Sequence, residues 1–189
     1  MRTLYVFNLI TLDGYFEGAN HDISWHNADD EFREFAVEQL IETSTLLFGR
    51  VTYELMASFW PTPDAIKNDP IVAAQMNSTE KVAFSGTMAK AGWNNTRLVK
   101  ENAELEISKM KKEDGGNIGI LGSGKLVASL ARTGLIDEYR FMVNPVAIGR
   151  GTSMFDGMNE RMKLNLIDVR KFKSGNVLLC YSPGTTGRI

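Results

Sequence analysis

Hydrophobic spacing along the chain switches repeatedly between the strand and the helix period. Leu4 to Ile10 is a short apolar run with β-branched and aromatic members and predicts a first strand. Thr11 to Asp29 is polar and glycine-bearing and predicts a long loop. In the next segment Phe32, Phe35, Ala36 and Leu40 fall at helical spacing, with Asn27 or Asp29 placed to cap the helix. TLLFG then predicts a buried strand ending at Gly49, and RVTYELMASFW a helix stopped by Pro61 and Pro63.

The alternation continues. Asp69 to Met76 predicts a short helix, KVAFS a strand, and TRLV another. AELEISKMKKE predicts a helix, NIGIL a strand, and SGKLVASLART a helix closed by Gly134. IDEYRFMVNPVAIG predicts a strand interrupted by Pro145. Lys163 to Lys171 and Asn176 to Ser182 alternate around KSGN, a hairpin signal. Strand–helix units followed by strands alone imply an α/β sheet, parallel inside and antiparallel at the C-terminal side. One domain is expected over residues 1–183, with 184–189 as a loose tail.

Composition narrows the classes. The 189 residues are 43% hydrophobic and 23% charged, with a net charge of −2. That balance suits a globular core and offers no broad basic field for nucleic acid. No apolar run approaches the ~20 residues needed to cross a bilayer. Cys180 is the one cysteine, so no disulfide can form within the chain and a reducing cytoplasm is expected. His21, His26 and Cys180 offer no zinc site.

Three predicted strand-to-helix turns carry candidate chemistry. Gly119 to Lys125 matches the start of an ATP-binding P-loop, but Leu126 stands where a hydroxyl must hold magnesium. Gly122 and Gly124 still permit close backbone approach of an anion at a helix start. Gly49, Arg50 and Thr52 form a second such turn, with a guanidinium fork suited to phosphate. Ser85 ends a third strand. In open α/β sheets ligands bind beyond the carboxyl ends of the strands, and a long dinucleotide would use several such turns.

ITLDGYFEG, LLFGRVTYE, KVAFS and GILGSGKLVASLARTGLIDEYRFMVNPVAIGRG, in this order and spacing, resemble the dihydrofolate-reductase-like proteins. The nearest branch is that of the C-terminal reductase domain of the bifunctional riboflavin-biosynthesis deaminase/reductase. The resemblance covers about residues 2 to 182. It implies a three-layer fold with a mixed, mostly parallel sheet of about eight strands, an antiparallel C-terminal hairpin, and NADPH as cofactor.

It also implies site roles. Gly49, Arg50, Val51 and Thr52 would hold the 2′-phosphate side of the cofactor, with Ser85 near the adenosine ribose. Gly122, Ser123, Gly124, Lys125 and Leu126 would wrap the pyrophosphate. The segment from Asn8 through Leu12, Asp13 and Gly14 would border the nicotinamide. The family's substrate carboxylate falls among Asp29, Asp30 and Glu31, with Asp30 preferred by spacing; Asp13 or a bound water are the other proton sources. The expected reaction is hydride transfer to a small pterin-like or pyrimidinone-like heterocycle by a homodimer. The alternative is a non-catalytic NADP(H)-binding protein on the same fold.

Overall fold

The computed structural model describes residues 1–156, 158 and 161–184. The first strand, β1 (Leu4–Thr11), is followed by a three-residue strand β2 (Tyr15–Glu17) and a 3-10 turn at Ala19–His21. Next come α1 (Asp30–Ile41), β3 (Thr43–Gly49), α2 (Arg50–Phe59), α3 (Pro63–Asn68), α4 (Pro70–Ser78) and β4 (Glu80–Phe84). Then follow β5 (Thr96–Val99), α5 (Ala103–Met110), β6 (Asn117–Leu121) and α6 (Gly124–Leu130). The chain continues through β7 (Glu138–Asn144), β8 (Thr152–Ser153), β9 (Leu164–Lys171) and β10 (Val177–Pro183).

Eight strands form one sheet in the order β5-β4-β3-β6-β1-β7-β10-β9. The first six run parallel, and β10 is antiparallel to both β7 and β9. The mixed architecture expected from the sequence is therefore present. Alternation along β1 assigns its two faces. Leu4 and Val6 pack with Ile107 and Met110 of α5 and with Leu126, Val127 and Leu130 of α6. Tyr5 and Phe7 point the other way, onto Phe35 of α1. Next to them Leu46 and Phe48 of β3 meet Tyr53 of α2 and Val72 and Met76 of α4. Helices thus cover both faces, and the six parallel strands present their carboxyl ends along one edge.

Local chemistry sets the boundaries. Asp29 caps α1, its carboxylate accepting from the Phe32 amide at 2.9 Å. Pro63 does not stop a helix as expected. It opens α3 at the first helical position, where a missing N–H costs nothing, and the Thr62 hydroxyl accepts from the Ala65 amide. β7 does end at Asn144, because Pro145 cannot donate to a ladder. β10 runs on to Pro183, and the Gly184 amide donates to Lys163 O; the rest of the expected tail, 185–189, lies outside the described residues. Cys180 is buried in the sheet, and burial pushes its thiol up to about 11, as suits a core residue.

Candidate active site

Two strand-to-helix turns meet at the carboxyl edge. β3 and β6 are neighbours, so Gly49 and Gly122 leave the sheet side by side. The Ser123 amide donates to the Thr52 hydroxyl at 2.9 Å. The Gly49 amide donates to Ser123 Oγ, and that hydroxyl donates to Leu121 O, both at 2.9 Å. Gly122 and Ser123 both take left-handed backbone angles, φ 58° and 61°. That conformation is uncommon for serine and costs on the order of 1 kcal/mol or more. The three hydrogen bonds hold it in place.

Absent β-carbons bring the turns together. A Cβ on Gly122 would lie 2.9 Å from the Thr52 methyl, and one on Gly124 2.9 Å from the Phe16 ring. The glycines here admit the protein's own side chains. The P-loop likeness dissolves in the same geometry. Gly119 sits inside β6 against the Tyr5 hydroxyl, and Leu126 is 8% exposed in the core. Burying that leucine is worth about 2 kcal/mol, and no hydroxyl could replace it without loss.

The other cofactor candidates line up on the same edge. Asn8 on β1 donates from Nδ2 to Gly122 O at 3.1 Å, tying the first strand to the glycine turn. Gly49 is in register with Phe84, which puts Ser85 beside the start of α2. The Ser85 hydroxyl accepts from the Thr87 and Met88 amides. Arg50 lies on the surface and pairs with Glu54 at 3.1 Å, both about half exposed. Such a pair is weak and leaves the guanidinium free to exchange partners. Val51, Lys125 and Leu12 are exposed, and the Leu12 amide donates to Val146 O.

The carboxylates behave differently. Asp13 accepts from the Ile148 and Gly149 amides. With the Thr11 hydroxyl as the strongest influence, these bonds hold its carboxyl below the usual range. Asp30 is 97% exposed and paired with Arg33. Asp29 is spent on its cap, and Glu31 accepts from the Lys173 amide at 2.7 Å. Helix-start position, the signal used to single these acids out, equally favours capping and solvation.

Three features escaped the sequence reading. β2 pairs with β8, building a flap from residues far apart in the chain and laying Phe16 on Gly124. Asn27 is a clamp. Its amide N–H donates to Asn144 Oδ1, its side chain donates to Ser174 O, and its carbonyl accepts from Asn176 Nδ2. His26 lies in the predicted Thr11–Asp29 loop. It is largely buried beside Trp25, and burial pulls its pKa down to about 4. His21 does stay at the surface, with Glu17.

Sheet order, helices on both faces and the antiparallel hairpin define a dihydrofolate-reductase-like α/β protein. The chain belongs to the RibD C-terminal domain family, whose model matches residues 2–178. Protein YyaP of Bacillus subtilis (strain 168), itself uncharacterized, is 29% identical over 174 residues, covering 91% of this chain and 90% of that one. Among solved structures, a putative riboflavin biosynthesis protein from Shewanella sp. PV-4 is 21% identical with a TM-score of 0.74, over 96% of this chain and 99% of that one. The deaminase/reductase of Thermotoga maritima, at 14% identity and TM-score 0.70, is matched over 97% of this chain and 57% of its own. Dihydrofolate reductase from Enterococcus faecalis, complexed with NADP(H) and RAB-propyl, is 15% identical with a TM-score of 0.61, over 96% of each chain. The family resemblance read from the sequence holds.

Proposed function

We propose that this chain is an NADPH-dependent reductase of a small pterin-like or pyrimidinone-like heterocycle. The observation that carries the reading is the Thr52–Ser123–Gly49 lacing, which spends backbone strain to fix two helix starts side by side at the carboxyl edge. The family and the NADP(H)-bound dihydrofolate reductase among its structural neighbours support it.

The residues present fit the cofactor. Arg50 and Lys125 are exposed cations flanking the laced turns, the chemistry a phosphorylated dinucleotide requires. Arg50 would take the 2′-phosphate and select NADPH over NADH. When bound, the nicotinamide supplies the hydride. The protein orients it with Asn8 and the glycine turn, and the Phe16 flap excludes water from the edge. Asp13, Asp29, Asp30 and Glu31 each have another partner, so we assign the substrate's proton to a water at the edge. The same observation favours a second reading, an NADP(H)-binding protein without catalysis.

Titration of NADPH, NADH and Mg-ATP into the protein, followed by tryptophan fluorescence, tests the cradle. NADPH should bind more tightly than NADH, and Arg50→Ala should remove that preference. Failure to bind either nicotinamide overturns the proposal. Oxidation of NADPH by a panel of pterins and pyrimidinones then separates the two readings, and Asp30→Asn should leave the rate within about threefold.

A further inference from the structure

The chain holds three Asp-Gly pairs, at 13–14, 114–115 and 156–157. At such a pair the glycine nitrogen can attack the aspartate Cγ, because no side chain on the glycine stands in the way. Gly157 lies outside the described residues. The fold treats the other two pairs in opposite ways. Both reactants of Asp13–Gly14 are engaged. The Asp13 carboxylate accepts from the Ile148 and Gly149 amides, and the Gly14 amide donates to Thr11 O at 3.0 Å. Asp114 and Gly115 are exposed in the turn between α5 and β6. Among the described residues, the Asp114 carboxylate has no hydrogen bond or ion pair, and the Gly115 amide has no acceptor.

We propose that Asp114 is a site of covalent modification, where the folded chain isomerises spontaneously to isoaspartate. Gly115 N bonds to Asp114 Cγ, a carboxyl C–O bond breaks, and one water leaves as a succinimide closes. Water then adds to one of the two imide carbonyls. Breaking the bond from nitrogen to Cγ returns aspartate. Breaking the bond from nitrogen to the former main-chain carbonyl routes the chain through Cγ and frees that carbonyl as a carboxylate. One water is lost and one gained, so no other reactant is needed.

The product does not fit the turn. It lengthens the main chain by one methylene just ahead of Gly115 and Gly116, which have little room to yield. A Cβ on Gly115 would lie 3.2 Å from Arg2 Nε, and one on Gly116 2.7 Å from Glu42 O. Gly116 O accepts from Arg2 Nε at 2.8 Å, and the Asn117 amide donates to Glu42 O. Arg2 is buried, and its other donors hold the Ser44 and Thr45 hydroxyls. Isomerisation therefore releases Arg2 and loosens the amino ends of β1, β3 and β6.

Peptide mapping of protein aged at mildly acidic pH tests the site, with methyl transfer by an isoaspartate methyltransferase to count the product. Isoaspartate should accumulate at Asp114 about tenfold faster than at Asp13. In urea, where neither pair is protected, the two rates should converge. Asp114→Glu would have to close a larger ring and should abolish the product at this position. The urea midpoint should fall as the wild type ages and stay constant for Asp114→Glu. A folded protein that forms no isoaspartate at Asp114, or forms it equally fast at Asp13, overturns the proposal. Isoaspartate at Asp114 with an unmoved midpoint overturns the release of Arg2. The turn lies at the amino edge of the sheet, so either outcome is independent of the reductase reading.

Discussion

Ser123 donates its amide proton to the hydroxyl of Thr52 at 2.9 Å, across 71 residues of chain. That bond joins a turn after β3 to a turn after β6 and satisfies one amide of a left-handed serine. Thr52→Val keeps the methyl group against Gly122 and removes only the acceptor. The Ser123 amide is then left buried without a partner, at a cost of about 1–2 kcal/mol. We expect a matching loss in chemical denaturation and an NADPH affinity about tenfold weaker. Unchanged affinity in a destabilised protein would mean that the lacing serves the fold alone.

His26 gives the fold an acid limit. Burial is the main cause of its lowered pKa, opposed by the charge of Asp22. The folded state therefore binds the proton less readily than the unfolded chain, whose histidine titrates near 6.5. Stability is complete above the unfolded value and falls as pH drops from about 6.5 toward 4. The loss should be about 2 kcal/mol, allowing for the partial exposure of the ring. His26→Phe should flatten this part of the stability–pH curve, measured by urea unfolding at fixed pH values.

What the sequence disclosed and concealed divides by range. The strands of the main sheet and α1 follow from local periodicity, and the carboxyl-edge turns follow from glycines placed between strand and helix. Phe16 could not be placed that way. Its position depends on Tyr15 pairing with Ser153, and no spacing within residues 11–29 encodes that contact. Nor does a place in a polar loop disclose that His26 is largely buried, with the neighbouring Asn27 tied to Asn144 and Ser174 far along the chain. Pro63 was misread for a different reason. Proline both ends and begins helices, and only the Thr62 cap decides which. The acids at the start of α1 show the limit of position as a guide to function. The same helix start that would hold a catalytic carboxylate also favours one that merely caps or pairs.

Lys81 separates stability from site chemistry. It is fully buried at the amino end of β4. Its ammonium donates to the carbonyls of Met76, Asn77 and Thr79 and lies 4.5 Å from the Trp93 ring centre. A cation thus closes the carboxyl end of α4. Lys81→Met keeps the volume and abandons the buried carbonyls of Met76 and Thr79, while Asn77 O keeps the Asn95 side-chain amide, so it should cost about 2–3 kcal/mol. Because the cap lies at the opposite end of the strand from Ser85, NADPH affinity should not change. A drop in affinity comparable to that of Thr52→Val would show that α4 and the carboxyl edge are coupled.

Phe16 and Gly124 offer a test in which the sign of one substitution depends on the other. Alanine is favoured over glycine within a helix by about 1 kcal/mol, and Gly124 opens α6 at an ordinary backbone angle. Against this, the added Cβ would stand 2.9 Å from the Phe16 ring, inside van der Waals contact. The ring is carried by β2, which β8 pins, so it has little room to retreat. Gly124→Ala should therefore lower stability by about 1–2 kcal/mol in the wild type. In a Phe16→Ala background the collision is gone and the helix preference remains. There the same substitution should be neutral or stabilising by up to about 1 kcal/mol, a non-additivity that thermal unfolding of the four proteins would measure directly. Simple additivity would place the Phe16 ring elsewhere and remove the flap from the carboxyl edge.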